Sequence, residues 1–209
     1  MTTVAIHQNS NRLRNPPYRI TVDQYDKMIE TGLLPEGAPY ELIDGQIVQK
    51  DRSAKGEDPM TVGNRHIWVV QKLTKLNSKL ERLGCYMRPQ QPIALQPDNE
   101  PEPDGAIVRG NEDDYLRRKP AESDVLCVIE VAESSLQYDR TIKYRLYANV
   151  GIPQYIIINL VDEVVEVYSQ PAKGRGKYNR TETFKSGQRI AFPSAKGKGL
   201  IVPVRQLLP

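Results

Sequence analysis

The sequence predicts an α/β fold in which a mixed central sheet is flanked by helices and followed by an antiparallel C-terminal extension. Apolar residues recur at three- and four-residue steps from residue 61 to 83, which predicts a long amphipathic helix that ends at Gly84. A run of buried character, Val125–Ala132, predicts an inner strand. A second helix over 138–150 then leads into the almost wholly apolar strand 154–160.

The N-terminal part of the chain predicts smaller elements before the long helix. Residues 1–17 are polar and without periodicity, which indicates a flexible N-terminal arm. Thr21 is a candidate N-cap and Gly32 a C-terminal stop for a short helix between them. Two strand-like runs flank Asp44-Gly45, a pair typical of tight hairpin turns, and residues 51–60 read as a polar loop.

The remaining strand candidates complete the predicted order of elements. Strands are expected at 85–95 and 105–108, before the inner strand, and at 164–169, 178–184 and 189–192 in the antiparallel tail. The order is therefore helix, three strands, helix, strand and tail. A chain of 209 residues suits one such domain, which we expect to span residues 18–209.

Composition excludes several classes of protein. Apolar residues make up 39% and charged residues 26%, which is typical of a folded globular chain rather than a disordered one. The net charge of +3 indicates only a mild positive field. Cys85 and Cys127 lack the spacing of zinc ligands and do not suggest a disulfide. Neither a signal peptide nor a membrane-spanning run is evident, so a cytoplasmic location without membrane association is expected.

Two carboxylates are the main candidates for chemistry. Glu130 shares the face of Leu126, Val128 and Ala132 on a strand that otherwise looks buried, where a charge requires a metal, a base or a raised pKa. A structural ion pair with an arginine is the alternative. Asp104 begins a strand after a proline-rich segment, although Asp-Gly is also an ordinary turn pair. Together on adjacent strands, the two could bind magnesium or manganese and support attack of water on a phosphodiester.

Three further side chains could line the same site. Lys143 lies early in the second helix, where the helix dipole disfavours a cation, and its alternative is a surface ion pair with Asp139. Glu41 shares a strand face with Ile43 and is either a ligand or an edge residue. His66 lies on the apolar stripe of the long helix, and such a histidine is more often a core residue than a ligand.

Several blocks of sequence together resemble the Uma2-type family of putative restriction endonucleases, which belongs to the PD-(D/E)XK nuclease superfamily. The blocks are YELIDG at 40–45, His66, EPEPDGAIV at 100–108 and VIEVAESSLQYDRTIKYRLYANVGIPQYIIIN at 128–159. They extend over most of the chain. The superfamily core runs helix, three strands, helix, strand, which agrees with the order that periodicity predicts independently.

The resemblance implies roles for individual residues. Asp104 and Glu130, with the backbone carbonyl of Val131, would bind Mg²⁺ or Mn²⁺. Lys143 would orient the attacking water or stabilise the developing charge, and Glu41 and His66 would line the pocket. The chain departs from the superfamily motif where a lysine is expected two positions after Glu130, because Ala132 stands there. Lys143, from the following helix, is the matching replacement.

Three functional hypotheses follow. The first is a metal-dependent endonuclease acting on DNA, for which cleavage of both strands would favour a homodimer. The second is a catalytically inactive nuclease-fold module that binds nucleic acid or a protein partner. The third is a structural or interaction protein whose carboxylates pair with Arg140 and Arg145. Basic segments at 117–119 and 173–177 could contact phosphates, although such runs are more often solvated loops.

Overall fold

A computed structural model describes residues 16–50 and 63–209. The predicted loop at 51–60, and all of the predicted arm except its last two residues, lie outside the described part of the chain. The helices are α1 (Val22–Glu30), α2 (Asn64–Thr74), α3 (Asn77–Glu81), α4 (Leu136–Tyr138) and α5 (Tyr144–Val150), with a π-helical segment, Asp139–Lys143, joining the last two. The strands are β1 (Tyr40–Ile43), β2 (Gln46–Gln49), β3 (Cys85–Arg88), β4 (Gly105–Arg109), β5 (Val125–Ala132), β6 (Gln154–Asn159), β7 (Val164–Ala172), β8 (Lys177–Phe184), β9 (Arg189–Phe192) and β10 (Leu200–Pro203).

A six-stranded mixed sheet forms the centre of the molecule, in the order β3-β4-β5-β6-β7-β8. Strands β5 and β6 pair in parallel, and every other pair in this sheet is antiparallel. A parallel pair requires a crossover connection, which α4, the π-helical segment and α5 supply. The mixed α/β architecture that the sequence predicts is therefore present. The hairpins β1-β2 and β9-β10 lie outside the central sheet.

Local sequence signals account for most element boundaries. Thr21 caps α1 in a reciprocal capping box with Gln24. Asp44 and Gly45 both adopt positive φ, as the tight turn between β1 and β2 requires. Gly151 ends α5 in the left-handed conformation.

Three details differ from expectation. The long helix predicted over 61–83 is broken after Thr74 into α2 and α3, although Lys75 and Leu76 keep right-handed helical angles. The strand predicted at 85–95 ends at Arg88, because the segment beyond it makes only isolated bridges to distant residues. Strand β10 was not expected, since its short apolar run offers no periodicity.

Two apolar layers cover the two faces of the sheet. On one face, Leu73 and Leu80 of the broken helix pack with the β9-β10 hairpin. On the other face, α5 and the β1-β2 hairpin pack against inner strand residues such as Val128 and Ala132. Leu126 lies in the first layer, contrary to simple alternation, because the register of β4 and β5 shifts there. Within the two described ranges, no helix has the length and apolar character needed to cross a bilayer.

The central strand β6 offers a direct test of this core. Ile156 is fully buried, whereas Ile201 on β10 is 54% exposed. Ile156→Ala should lower the free energy of unfolding by about 2–5 kcal/mol, since it removes buried methyl groups and leaves a cavity. Ile201→Ala is the matched control and should change it by less than about 1 kcal/mol. Urea unfolding followed by circular dichroism measures both, and equal losses would contradict this placement of the core.

Candidate active site

Asp104 and Glu130 meet because β4 begins where β5 ends. Gly105 pairs with Ile129 across the two antiparallel strands, which brings the preceding Asp104 beside Glu130. The Asp104 backbone N–H donates to Glu130 Oε2 at 3.3 Å. The Val131 N–H donates to Asp104 Oδ2 at 2.9 Å. The strand register therefore places both carboxylates at the same end of these two strands.

Lys143 reaches the same place from the π-helical segment. Its Nζ lies 2.8 Å from Glu41 Oε1 and 3.6 Å from Glu130 Oε1, and the residue is only 4% exposed. The alternative of a surface ion pair with Asp139 is wrong, because both residues are buried and Asp139 instead accepts a hydrogen bond from the Ser135 hydroxyl at 2.6 Å. π-Helical turns often occur at functional sites.

Glu41 projects from β1 into this cluster. Besides the Lys143 ammonium, its Oε1 accepts the backbone N–H of Glu102 at 2.6 Å. The neighbouring Leu42 exchanges backbone hydrogen bonds with Glu100, which ties the hairpin to the segment leading into Asp104. The hairpin therefore holds one wall of the site against the central sheet.

His66 approaches Asp104 from the first turn of α2. Its Nε2 lies 2.9 Å from Asp104 Oδ2. Its Nδ1 is buried and has no hydrogen-bond partner among the residues that the structure describes. The expectation that His66 points inward is correct, and its neighbour is a carboxylate rather than the apolar core alone.

A cavity of about 340 Å³ opens beside these side chains. Carboxylates dominate the charged groups in its lining, and Lys50 and Lys143 are the lysines among them. The acidic residues of this wall are Glu41, Glu102, Asp104, Glu130, Glu133 and Asp139. Lys50 forms an ion pair with Glu102. The described part of the cavity therefore suits a cation better than an anion.

Tyr147 belongs to the site but escaped sequence reasoning. Its hydroxyl donates to Glu130 Oε1 at 2.9 Å, and its side chain is fully buried. The signal was present in the helix, since Asp139, Lys143 and Tyr147 follow one another at four-residue intervals and so share a face. A tyrosine on an apolar face usually indicates core packing, which is why this spacing alone did not single it out.

Burial dominates the electrostatics of the cluster. It raises the pKa of Glu130 well above its ordinary value, an effect that the Lys143 charge opposes. For Lys143, burial would lower the pKa, but the charges of Glu41 and Glu130 outweigh it and keep the ammonium protonated. Burial also raises the pKa of Asp139 to about 6, against the hydrogen bond from Ser135. The site holds its lysine as a cation in a largely desolvated setting.

The donor set fits a hard divalent cation held partly by water. In the described ranges, no three His, Cys, Asp or Glu side chains are arranged as a complete metal site. Asp104 and Glu130 nevertheless both line the cavity, and the Asp104 backbone N–H lies 3.3 Å from Glu130 Oε2. Mg²⁺ is commonly bound by one or two carboxylates and keeps several waters. Two carboxylates at a cavity wall are therefore a sufficient protein contribution for such an ion.

The alternative in which Arg140 and Arg145 pair with the carboxylates does not describe this cluster, since the Arg145 side chain lies beside Gly176 and Arg140 pairs with Glu166. Arg140 donates to Glu166 from Nε and Nη2, at 3.1 and 2.5 Å, and contacts Asp162. Glu166, which is buried, also accepts hydrogen bonds from Asn159 and Tyr168. Arg140 therefore stabilises the end of β6 and the start of β7 and leaves the carboxylates of β4 and β5 to other partners.

Comparison with known proteins agrees with this architecture. The Uma2 family, described as "Putative restriction endonuclease", matches residues 22–205. A crystal structure of a putative nuclease belonging to DUF820 from Anabaena variabilis ATCC 29413 is similar, with a TM-score of 0.64 and 18% sequence identity. The similarity covers 90% of this chain and 97% of that chain, and at this identity it shows a common fold. No curated protein matches the sequence.

The raised pKa of Asp139 predicts a pH dependence of stability. The folded chain binds this proton more tightly than the unfolded chain, whose ordinary value is 3.8. The contribution is therefore fully present below about pH 4 and is lost as pH rises through about 6. Asp139→Asn should remove this loss, so its stability relative to the wild type should rise by on the order of 3 kcal/mol across that interval. Urea unfolding at a series of pH values measures the difference, and parallel curves would contradict the assignment.

Proposed function

Because this chain belongs to the Uma2 family of putative restriction endonucleases, we propose that it is a divalent-metal-dependent endonuclease that hydrolyses phosphodiester bonds of DNA. The observation that carries the proposal is the meeting of Asp104, Glu130 and the buried Lys143 ammonium at one cavity wall. These residues come from two strands and a helix. Burying such a group of charges costs free energy, and such clusters are common at functional sites.

Asp104 and Glu130 would hold the metal ion, with the Val131 carbonyl as a further oxygen donor. When bound, Mg²⁺ or Mn²⁺ would supply charge neutralisation at the phosphate and lower the pKa of a water molecule. His66 and the Val131 N–H both contact Asp104 Oδ2, which orients this carboxylate. Among the described residues, its Oδ1 has one long contact, 3.5 Å, with Gln90, and this oxygen would be the one to bind the ion.

Lys143 would act on the phosphate or on the attacking water. Water adds to phosphorus, the bond to the leaving oxygen breaks, and that oxygen takes up a proton, so the chain is cut by net addition of water. An ammonium beside Glu130 can stabilise the negative charge that develops on the phosphate oxygens. Glu41 fixes the position of this ammonium. Lys143 would thus replace the lysine that the superfamily motif has at the position of Ala132.

Tyr147 would position Glu130 without touching the substrate. Its hydroxyl and Lys143 both lie at Oε1, whereas Oε2 faces the Asp104 backbone. Because Tyr147 and Lys143 hold Oε1, Oε2 of Glu130 stays directed toward Asp104, where the ion would bind. Partners of this kind commonly change metal affinity by roughly 10- to 100-fold when they are removed.

Asp104→Asn and Glu130→Gln should each reduce cleavage of DNA by roughly 100-fold or more, since each removes a charged oxygen ligand. Supercoiled plasmid, linear duplex and single-stranded DNA, and a structured RNA, form the substrate panel, each with Mg²⁺, Mn²⁺ or EDTA. Glu182→Gln on β8 is the matched control, because Glu182 pairs with Arg180 on the far edge of the sheet. Cleavage that persists in EDTA, or in both site variants, would refute the proposal.

Tyr147→Phe should weaken Mn²⁺ binding by roughly tenfold, because Glu130 loses the hydroxyl that orients it. Tyr155→Phe is a close control: its ring lies 5.0 Å from that of Tyr147, it is equally buried, and its hydroxyl donates instead to the Asp139 carbonyl. Isothermal titration calorimetry measures both affinities without any need for turnover. Equal changes in the two variants would indicate a general packing effect and would exclude a specific positioning role.

A catalytically inactive binding module is the second candidate, and the 2.8 Å contact between Lys143 and Glu41 favours it. A lysine neutralised in this way has less charge to offer a phosphate. An inactive module would bind nucleic acid but would neither cleave any substrate of the panel nor bind Mn²⁺. The wild type therefore separates the candidates, since an enzyme should both cleave a substrate of the panel and bind Mn²⁺, whereas an inactive module should do neither.

Three expectations stay predictions: the single domain over residues 18–209, the cytoplasmic location and the homodimer. Light scattering of the purified chain, with and without duplex DNA, tests the last of them.

A further inference from the structure

The cavity wall is acidic, so a phosphate backbone needs a separate positive surface if it is to be held there. Before a cation binds, the carboxylates around Asp104 and Glu130 repel phosphates. A nucleic acid that reaches this cavity must therefore gain its electrostatic attraction elsewhere on the molecule.

The two basic segments that stand out in the sequence are poorly suited. Arg118 pairs with Asp124, and Lys119 pairs with Asp26 and Glu100, so their charges are largely satisfied. The segment 173–177 lies beside Asn149 and Gly151, at the end of α5. That end of α5 adjoins the start of β6. The start of β6 lies at the opposite end of the strands from the carboxylates.

A third basic surface lies along the broken helix. Its residues recur at three- and four-residue steps, one position before those of the buried stripe Val69, Leu73, Leu76 and Leu80, and they therefore form a single line on the helix. We call this line the basic stripe. It consists of Arg65, Trp68, Lys72, Lys75, Lys79 and Arg82. Arg65 pairs with Glu133 and Glu163, so the lysines carry most of the charge that the stripe offers to phosphates.

Charge is concentrated on this surface. Between residues 63 and 83 the chain has five basic residues and one acidic residue, Glu81. Lys196 extends the stripe, since its ammonium donates to the Arg82 carbonyl at 3.1 Å, and the exposed Lys198 follows. Without these seven basic residues and Glu81, the chain has 22 basic and 25 acidic residues. The net positive charge of the whole molecule therefore arises here.

The position and chemistry of the basic stripe favour nucleic acid. It begins at Arg65, next to the cavity residue His66, and continues along α2 and, past the break after Thr74, along α3. Lys72 lies over the Trp68 ring, 4.6 Å from its centroid, so an aromatic face accompanies the cations. A membrane-surface helix would need an exposed apolar face, but the apolar face here is buried in the core.

We infer that the basic stripe binds the phosphate backbone of the nucleic acid that flanks the cleavage site. The inference rests on the proposed function for its substrate class, and it names the surface that holds the substrate. Binding through lysine and arginine to phosphates is largely independent of base sequence. The stripe therefore supplies affinity, and selection of a sequence would come from other contacts.

The test measures binding without cleavage. The triple variant Lys72→Glu, Lys75→Glu, Lys79→Glu should bind a labelled duplex of about 20 base pairs at least roughly tenfold more weakly in EDTA, by fluorescence anisotropy. The slope of log affinity against log salt should fall in magnitude by about three, because each lysine would no longer neutralise one phosphate. Replacement of the same lysines by glutamine should give the same change in slope without added repulsion.

The matched control is Lys173→Glu, Arg175→Glu, Lys177→Glu, which alters net charge equally at the opposite end of the strands from the carboxylates. It should bind within roughly twofold of the wild type. Equal weakening in both triple variants, or none in either, would overturn the inference. So would loss of binding to phosphatidylserine vesicles by the stripe variant while duplex binding is unchanged. These binding assays contain EDTA and do not depend on cleavage. A wild type that binds through the stripe, yet cleaves no substrate with Mg²⁺ or Mn²⁺, therefore refutes only the proposed function.

Discussion

The site depends on one buried cation. Lys143 lies between Glu41 of the β1-β2 hairpin and Glu130 of β5, and it is nearly inaccessible to water. A lone ammonium in such a place would cost several kcal/mol, roughly, so the carboxylates that surround it are a condition of folding as well as a part of the site. Removal of either partner leaves a desolvated charge, which is why hairpin, strand and helix must come together.

The carboxylates in turn depend on lysine, tyrosine and backbone N–H groups. Glu130 is held by Tyr147 and Lys143 on one oxygen and faces the Asp104 backbone with the other. Glu41 accepts a backbone N–H as well as the ammonium. Hydrogen bonds of this kind turn a cluster of like charges into an ordered array, in which each oxygen has a defined direction. An ordered array of oxygens is what a hard cation with strict geometry requires.

Charge is separated over the molecule in a way that suits a polyanionic substrate. The cavity is acidic, and the surplus of positive charge lies on the solvent side of the broken helix that begins at the cavity mouth. Like charge at the cavity wall would exclude phosphates until a cation neutralises it, whereas the basic surface attracts them at longer range. Attraction and chemistry would thus be assigned to different elements of one small fold.

Local patterns in the sequence determined the elements. Strand β5 was expected with the bounds that it has, and the N-cap Thr21, the turn at Asp44 and Gly45 and the stop at Gly151 all depend on the conformational preferences of single residues. Resemblance to a family indicated the candidate residues. The alternation of residues along β5 placed Glu130 on a buried face. These inferences succeed because propensity and alternation act over a few neighbouring residues.

Only the tertiary structure decided which side chains meet. The ion pair of Lys143 with Glu41 joins residues 102 positions apart, and the choice of Glu41 over the nearby Asp139 follows from how the hairpin packs on the sheet. The bulge that displaces Leu126 and the break after Thr74 likewise arise from strand register and helix packing. Tyr147 had an ordinary place on an apolar helical face until β5 brought Glu130 within hydrogen-bond distance. Such contacts depend on the relative placement of whole elements, which no short stretch of sequence encodes.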